Sequence, residues 1–177
     1  MKTGSLLLNA AVMFVLLTST AWAEPKNGFG LNAGLVGHNR DCGGCLGSST
    51  TGVSIGLDYQ FALSDKFSIS PFLMTSGETN SNLSGTTVNH GILGAQLRYW
   101  TGDAFFGGHL GAYSEVLSNG GVSLTGNGGG AGLVAGWEKP DGGMYFMGQF
   151  DSATIRYSGL SDVKFTAFRL SIGYRWK

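Results

Sequence analysis

Cys42-Gly43-Gly44-Cys45 is the most chemically suggestive group in the chain. Two thiols at this spacing admit three chemistries. In an oxidising compartment Cys42 and Cys45 would close a local disulfide, a reading that asks for no further structure. Together with His38 and Asp41 the pair offers side chains of the types that hold zinc, but the spacing is loose and a partner pair is missing. A thioredoxin-like redox couple needs the cysteines at a helix start, and no helical spacing surrounds them.

The remaining histidines are His90, near the outer end of a strand-like segment, and His109, close in sequence to Tyr113, Ser114 and Glu115. A histidine, a serine and a carboxylate are the groups of a nucleophilic hydrolase. On a strand, however, residues 109 and 114 differ in parity and face opposite sides, so this base does not reach this nucleophile. The stretch from about 115 to 130 contains Gly120-Gly121 and Gly126-Asn127-Gly128-Gly129-Gly130. It lacks the lysine and the following helix of a phosphate loop and reads as a flexible external loop. No catalytic residue, metal or cofactor is assigned from these groups.

The elements that carry them are strands. The chain has 177 residues, with 31 glycines, 3 prolines, 11 basic and 11 acidic groups. Glycine without a three-residue period excludes collagen, and the aromatic content excludes disorder. A neutral chain without a basic block offers no electrostatic footprint for nucleic acid. Residues 1–23 read as a secretory signal: Lys2, an apolar stretch from Leu6 to Leu17, and Ala21-Trp22-Ala23 as a small-x-small cleavage site. The domain is then 24–177.

From Asn27 onward the pattern has period two. Val53, Ile55, Leu57, Tyr59 and Phe61 alternate with Ser54, Gly56, Asp58 and Gln60; Phe168, Leu170, Ile172, Tyr174 and Trp176 alternate with Arg169, Ser171, Gly173 and Arg175. Similar segments surround Leu93–Tyr99 and Ala131–Trp137, and weaker ones start at Phe29, Phe67, Phe106 and Met144. That makes eight strands. Short turns at 64–66, 101–103 and 139–143 alternate with longer polar loops at roughly 38–50, 75–87, 115–128 and 157–162. This alternation, with two-faced strands, predicts an all-β, eight-stranded antiparallel up-and-down transmembrane barrel.

Two features orient the faces. The polar faces are mostly glycine and serine, which suit a crowded lumen, whereas a soluble exterior is rich in charge. The aromatics Phe29, Tyr59, Phe61, Phe67, Tyr99, Phe106, Trp137, Phe146, Tyr174 and Trp176 all fall at the ends joined by short turns, as an interfacial girdle would. The apolar face is therefore expected to meet lipid. By parity Asp58, Arg98, Glu138 and Arg175 face inward on the second, fourth, sixth and eighth strands, with alternating sign. They are expected to form a salt-bridged plug, extended by Gln60, Gln149, Asp151 and Arg169, because isolated charges there would be costly.

The closing Ser171-Ile172-Gly173-Tyr174-Arg175-Trp176 resembles the Gly-Tyr-Arg-aromatic ending of small outer-membrane barrels of the OmpA-transmembrane-domain, OmpX and Ail type. Apolar residues at 170, 172, 174 and 176 also match the C-terminal signal read by the barrel-assembly machinery, with Lys177 added after the terminal aromatic. The resemblance implies a cell outer membrane of Gram-negative type, with outer-membrane lipid and lipopolysaccharide as surroundings. It implies a non-enzymatic role in membrane integrity, or in binding a surface protein or polysaccharide through four external loops. Passage of small or hydrophobic solutes, as in OmpW-like barrels, is the alternative. Lipid A modification stands third, since the His-x-Ser pattern of barrel deacylases is absent.

Overall fold

Alternation of residue type along the chain becomes alternation of environment in the folded protein. A computed structural model describes residues 25–42, 48–79, 86–139, 142–159 and 162–177. The strands are β1 (Gly28–Cys42), β2 (Ser48–Ala62), β3 (Phe67–Thr79), β4 (Thr87–Thr101), β5 (Ala104–Asn119), β6 (Val122–Glu138), β7 (Gly143–Tyr157) and β8 (Val163–Trp176). Each pairs antiparallel with its neighbours in sequence, and β1 closes on β8 from Phe29 opposite Trp176 to Cys42 opposite Val163. The fold is a closed, eight-stranded, all-antiparallel barrel. The expected signal at 1–23, together with Cys45, lies outside the described residues.

The apolar face points outward. Leu35, Leu110 and Leu133 are 69%, 71% and 67% exposed, and Leu57, Leu73, Leu97, Phe150 and Leu170 continue the same outer ring. The arrangement is the inverse of a soluble ligand-binding barrel. At one end the aromatics stack across strands: Phe29 on Trp176, Phe67 on Tyr99, Tyr99 on Phe106 and Trp137 on Phe146, with centroids 5.1–6.4 Å apart. Tyr99 and Trp137 are half-buried by this stacking and the other eight girdle residues are exposed. Beyond Leu35 and Leu73 the outer face turns polar, with Asn39, Thr51, Thr75, Asn89, Ser152 and Thr154 exposed. The strands therefore continue past the apolar belt.

This continuation corrects the expected loops. Residues 38–42, 48–50 and 75–79 are strand. The largest difference lies at 115–128, read from its glycines as a flexible loop. Here β5 and β6 run on until Asn119 faces Val122, leaving Gly120-Gly121 as a two-residue turn with φ of 56° and 88°. Two successive positive φ values define the tight hairpin whose twist suits flanking strands, and glycine adopts them without strain.

Glycines facing inward have another use. A side chain at Gly136 would stand 2.5 Å from the Phe105 ring, at Gly130 2.8 Å from Tyr113, at Gly126 2.7 Å from Tyr157 and at Gly94 2.8 Å from Phe72. Each ring packs against a strand position that carries no side chain. This is how an eight-stranded lumen, just wide enough for side chains, holds Phe72, Trp100, Phe105, Tyr113, Tyr145 and Phe165 as well as charges. The expected polar lumen is thus polar layers with a hydrophobic cluster between them. In the wall, the β2–β3 ladder skips the two rungs opposite Ser70 and Pro71, where proline has no N–H to give.

Candidate functional site

The chemistry of this barrel is concentrated in its lumen, in three layers. The layer at the girdle end is built by β2, β4, β6 and β8, which present Asp58, Arg98, Glu138 and Arg175 inward, all buried. Arg98 Nη2 and Arg175 Nη2 both donate to Asp58 Oδ2, at 3.3 and 2.9 Å. Arg175 Nε donates to Glu138 Oε1 at 2.9 Å, and Lys177 Nζ reaches the same oxygen at 2.9 Å. The alternation of sign suggests a closed ring, but the ion pairs run Arg98–Asp58–Arg175–Glu138. Gln60 and Gln96 supply the remaining acceptors of Arg98 at 3.1 and 3.0 Å. The planes of Phe105 and Tyr145 lie under Arg98 and Arg175, 4.8 and 5.2 Å from the guanidinium carbons.

Gln149, Asp151 and Arg169 form a second group. Asp151 Oδ1 accepts from Tyr113 and Gln149 at 2.9 Å each and lies 2.8 Å from His109 Nε2, while Oδ2 accepts from Arg169 Nη1. His109 is thereby held by a carboxylate and a phenol. Ser114 faces outward on the same strand and its hydroxyl points at the Gly91 carbonyl. The histidine and this serine are separated by the barrel wall.

The third layer lies above the apolar belt, and it separates two of the residues weighed above as a loose zinc set. His38 is on β1 and points into the lumen, whereas Asp41, three residues on, is exposed on the outer face. They cannot converge on one ion. Cys42 ends β1, and its expected partner Cys45 lies outside the described residues. His38 instead meets Glu78 of β3 and His90 of β4. His38 Nδ1 is paired with Glu78 Oε1, and His90 Nε2 is 3.4 Å from the same oxygen. The imidazole centroids are 4.3 Å apart, and each is 4.8 Å from the ring of Phe165. Around them Thr50 donates to Glu78 Oε2, Tyr157 donates to Glu115 Oε1, and Glu115 Oε2 lies 3.1 Å from His90 Nδ1. Arg40 Nε donates to Glu115 Oε2 at 3.0 Å, and its Nη2 lies 2.9 Å from His90 Nε2.

Arg40 and Glu78 were not singled out in the sequence, and Glu115 entered only as the carboxylate near His109 and Ser114. Parity carried past the ends of the apolar alternation would have turned all three inward beside His38 and His90. Apolar spacing, the signal that locates strands, stops at the top of the belt.

No known family profile matches the chain, and no curated protein does. Solved structures do. Neisserial surface protein A aligns with a TM-score of 0.61 at 12% identity over 84% of this chain and 97% of its own. Ail, the attachment invasion locus protein of Yersinia pestis, aligns at 0.58 and 17% identity over 86% of this chain and all of its own. The complex of Ail with the heparin analogue sucrose octasulfate gives 0.56 at the same identity and coverage. The fold is that of the small outer-membrane barrels. At these identities the likeness concerns architecture, and the lumen chemistry described above is read from this chain's own residues.

Proposed function

We propose that this protein is a non-enzymatic barrel of a Gram-negative-type outer membrane. Its lumen is closed by its own side chains, and it serves membrane integrity or surface interaction through its external loops. The observation that carries this reading is the unbroken outer ring of exposed apolar side chains around a buried, ion-paired interior. Only a lipid environment makes that inversion favourable: the ring is removed from water, and closure of the sheet leaves no edge strand unpaired. Outer-membrane lipid and lipopolysaccharide are then its immediate surroundings, reached through the signal at 1–23 and the barrel-assembly machinery.

A surface protein or a neutral polysaccharide fits the outer end better than a polyanion. The described side chains exposed there include Arg156 and Lys164 but also Asp41 and Asp162, and Arg156 is paired with Asp162 at 3.3 Å. That is no basic patch of the kind a sulfated sugar, such as the one bound to Ail, would need. The second reading, passage of small or hydrophobic solutes, draws on the two missing rungs of the wall beside Pro71. Lipid A modification has the least support, since His109 is paired with Asp151 and walled off from Ser114.

Single-channel conductance in a planar bilayer separates the first two, once heat-dependent gel mobility shows that the barrel is folded. A silent, folded barrel is the expected result. Reproducible conductance steps would overturn the closed lumen and favour passage.

A further inference from the structure

The geometry points to a binding site for a divalent transition-metal ion, of the zinc class, in the outer layer of the lumen, with His38, Glu78 and His90 as ligands. Their ligand atoms all lie within 4.8 Å of one another and all three residues are buried. His90 Nε2 and Glu78 Oε1 are 3.4 Å apart. That is close to the edge of a tetrahedron with metal–ligand bonds of about 2.0–2.1 Å. Two imidazoles and a carboxylate are a donor set suited to zinc, leaving one position open.

Three independent features favour a cation there. The first is hydrogen bonding: His38 Nε2 is buried without a hydrogen-bond partner, and Glu78 Oε1 is the one partner of His38 Nδ1. Leaving a buried ring nitrogen unsatisfied is costly, and a metal would use its lone pair. The second is the surrounding support. Glu115 Oε2 faces His90 Nδ1 at 3.1 Å. This places the ring proton on Nδ1 and the lone pair on Nε2, the carboxylate–histidine arrangement that orients metal ligands. Thr50 holds the other oxygen of Glu78 in the same way.

The third is charge. The two outer layers hold two buried arginines (40, 169) and three buried carboxylates (Glu78, Glu115, Asp151). With neutral imidazoles these layers carry one negative charge more than positive. At the girdle end Arg98, Arg175 and Lys177 face Asp58 and Glu138. Arg40 Nη2 stands 2.9 Å from the His90 Nε2 lone pair and is the competing cation. An ion bound there must displace that nitrogen, which also lies 3.9 Å from Glu78 Oε2. The site lies beyond the apolar belt, on the side of the outer aqueous phase.

The test is Zn2+ uptake by the untagged protein in detergent micelles, read by titration calorimetry, with folding checked by heat-dependent gel mobility. One ion per chain is expected. Uptake is lost in His38→Gln, Glu78→Gln and His90→Gln, and Thr50→Val, which removes a supporting hydrogen bond, weakens it by about 10-fold or more. The double variant Cys42→Ser with Cys45→Ser keeps it. No stoichiometric uptake by the unaltered chain, uptake that survives both histidine substitutions, or uptake that disappears with the cysteines each overturns the site. Should the ligand variants fail to fold, Co2+ absorption of the unaltered protein decides. A spectrum of nitrogen and oxygen ligation supports the site, and a thiolate charge-transfer band overturns it.

Discussion

Asp58 holds the girdle-end layer together, because one of its oxygens accepts from two guanidinium groups on opposite sides of the lumen. Removing its charge leaves Arg98 without a carboxylate and Arg175 with Glu138 alone, whereas removing that of Glu138 leaves both arginines their bonds to Asp58. Breaking a buried pair from one side costs about 3–5 kcal/mol. Asp58→Asn should therefore lower the urea midpoint of the folded barrel clearly more than Glu138→Gln; equal losses would show that Arg98 does not depend on Asp58. The inward glycines make a second residue-scale prediction. Gly136→Val drives a side chain into the Phe105 ring, an overpacking that costs about 1–3 kcal/mol, and Gly148→Ala, whose Cβ would meet only ordinary contacts at 3.8 and 3.9 Å, should change the same midpoint little.

The β5–β6 hairpin is the element whose length the glycines disguised. Its turn needs left-handed backbone at both Gly120 and Gly121. Asparagine adopts that conformation readily and β-branched residues do not. Gly120→Asn should be tolerated. Gly121→Val should cost about 1–2 kcal/mol, the penalty of a side chain in left-handed backbone, and should open the hairpin tip to limited proteolysis. Equal protease resistance of the two variants would show that the turn is not the tight one described. The same element explains why polar, glycine-rich sequence here is wall: its inward side is kept bare for Tyr113 and Tyr157 to lie upon.

At the scale of the whole molecule the belt and the region above it should respond differently to charge. An arginine on the lipid face near the middle of a membrane barrel costs about 2–4 kcal/mol and much less near the interfaces. Leu110→Arg should depress the stability of the lipid-reconstituted barrel by that order, while Thr154→Arg, on the polar outer face beyond the belt, should leave it nearly unchanged. If the two behave alike, the belt does not mark the bilayer.

Period-two alternation by itself determined the strands through the belt, their number and which residues share a face. Each of these is a local consequence of side chains pointing to opposite sides of a pleated chain. Asp58, Arg98, Glu138 and Arg175 could be turned inward on the same ground. Beyond Leu35 and Leu73 both faces become largely polar. Beyond Phe150 the alternation inverts, with Ala153, Ile155 and Tyr157 inward and Ser152, Thr154 and Arg156 outward. The outward apolar signal therefore disappears although the strands do not end. His38 was therefore grouped with Asp41 and Cys42 as a loop, and the strands around Gly120-Gly121 were read as flexible. Which charges pair was likewise out of reach. Arg40 meets Glu115 from 75 positions away, and His38, Glu78 and His90 come from β1, β3 and β4. Those meetings occur across the lumen, at a height set by the stagger of strands when the sheet closes on itself. Closure is a property of all eight strands together, so only the tertiary structure decided them.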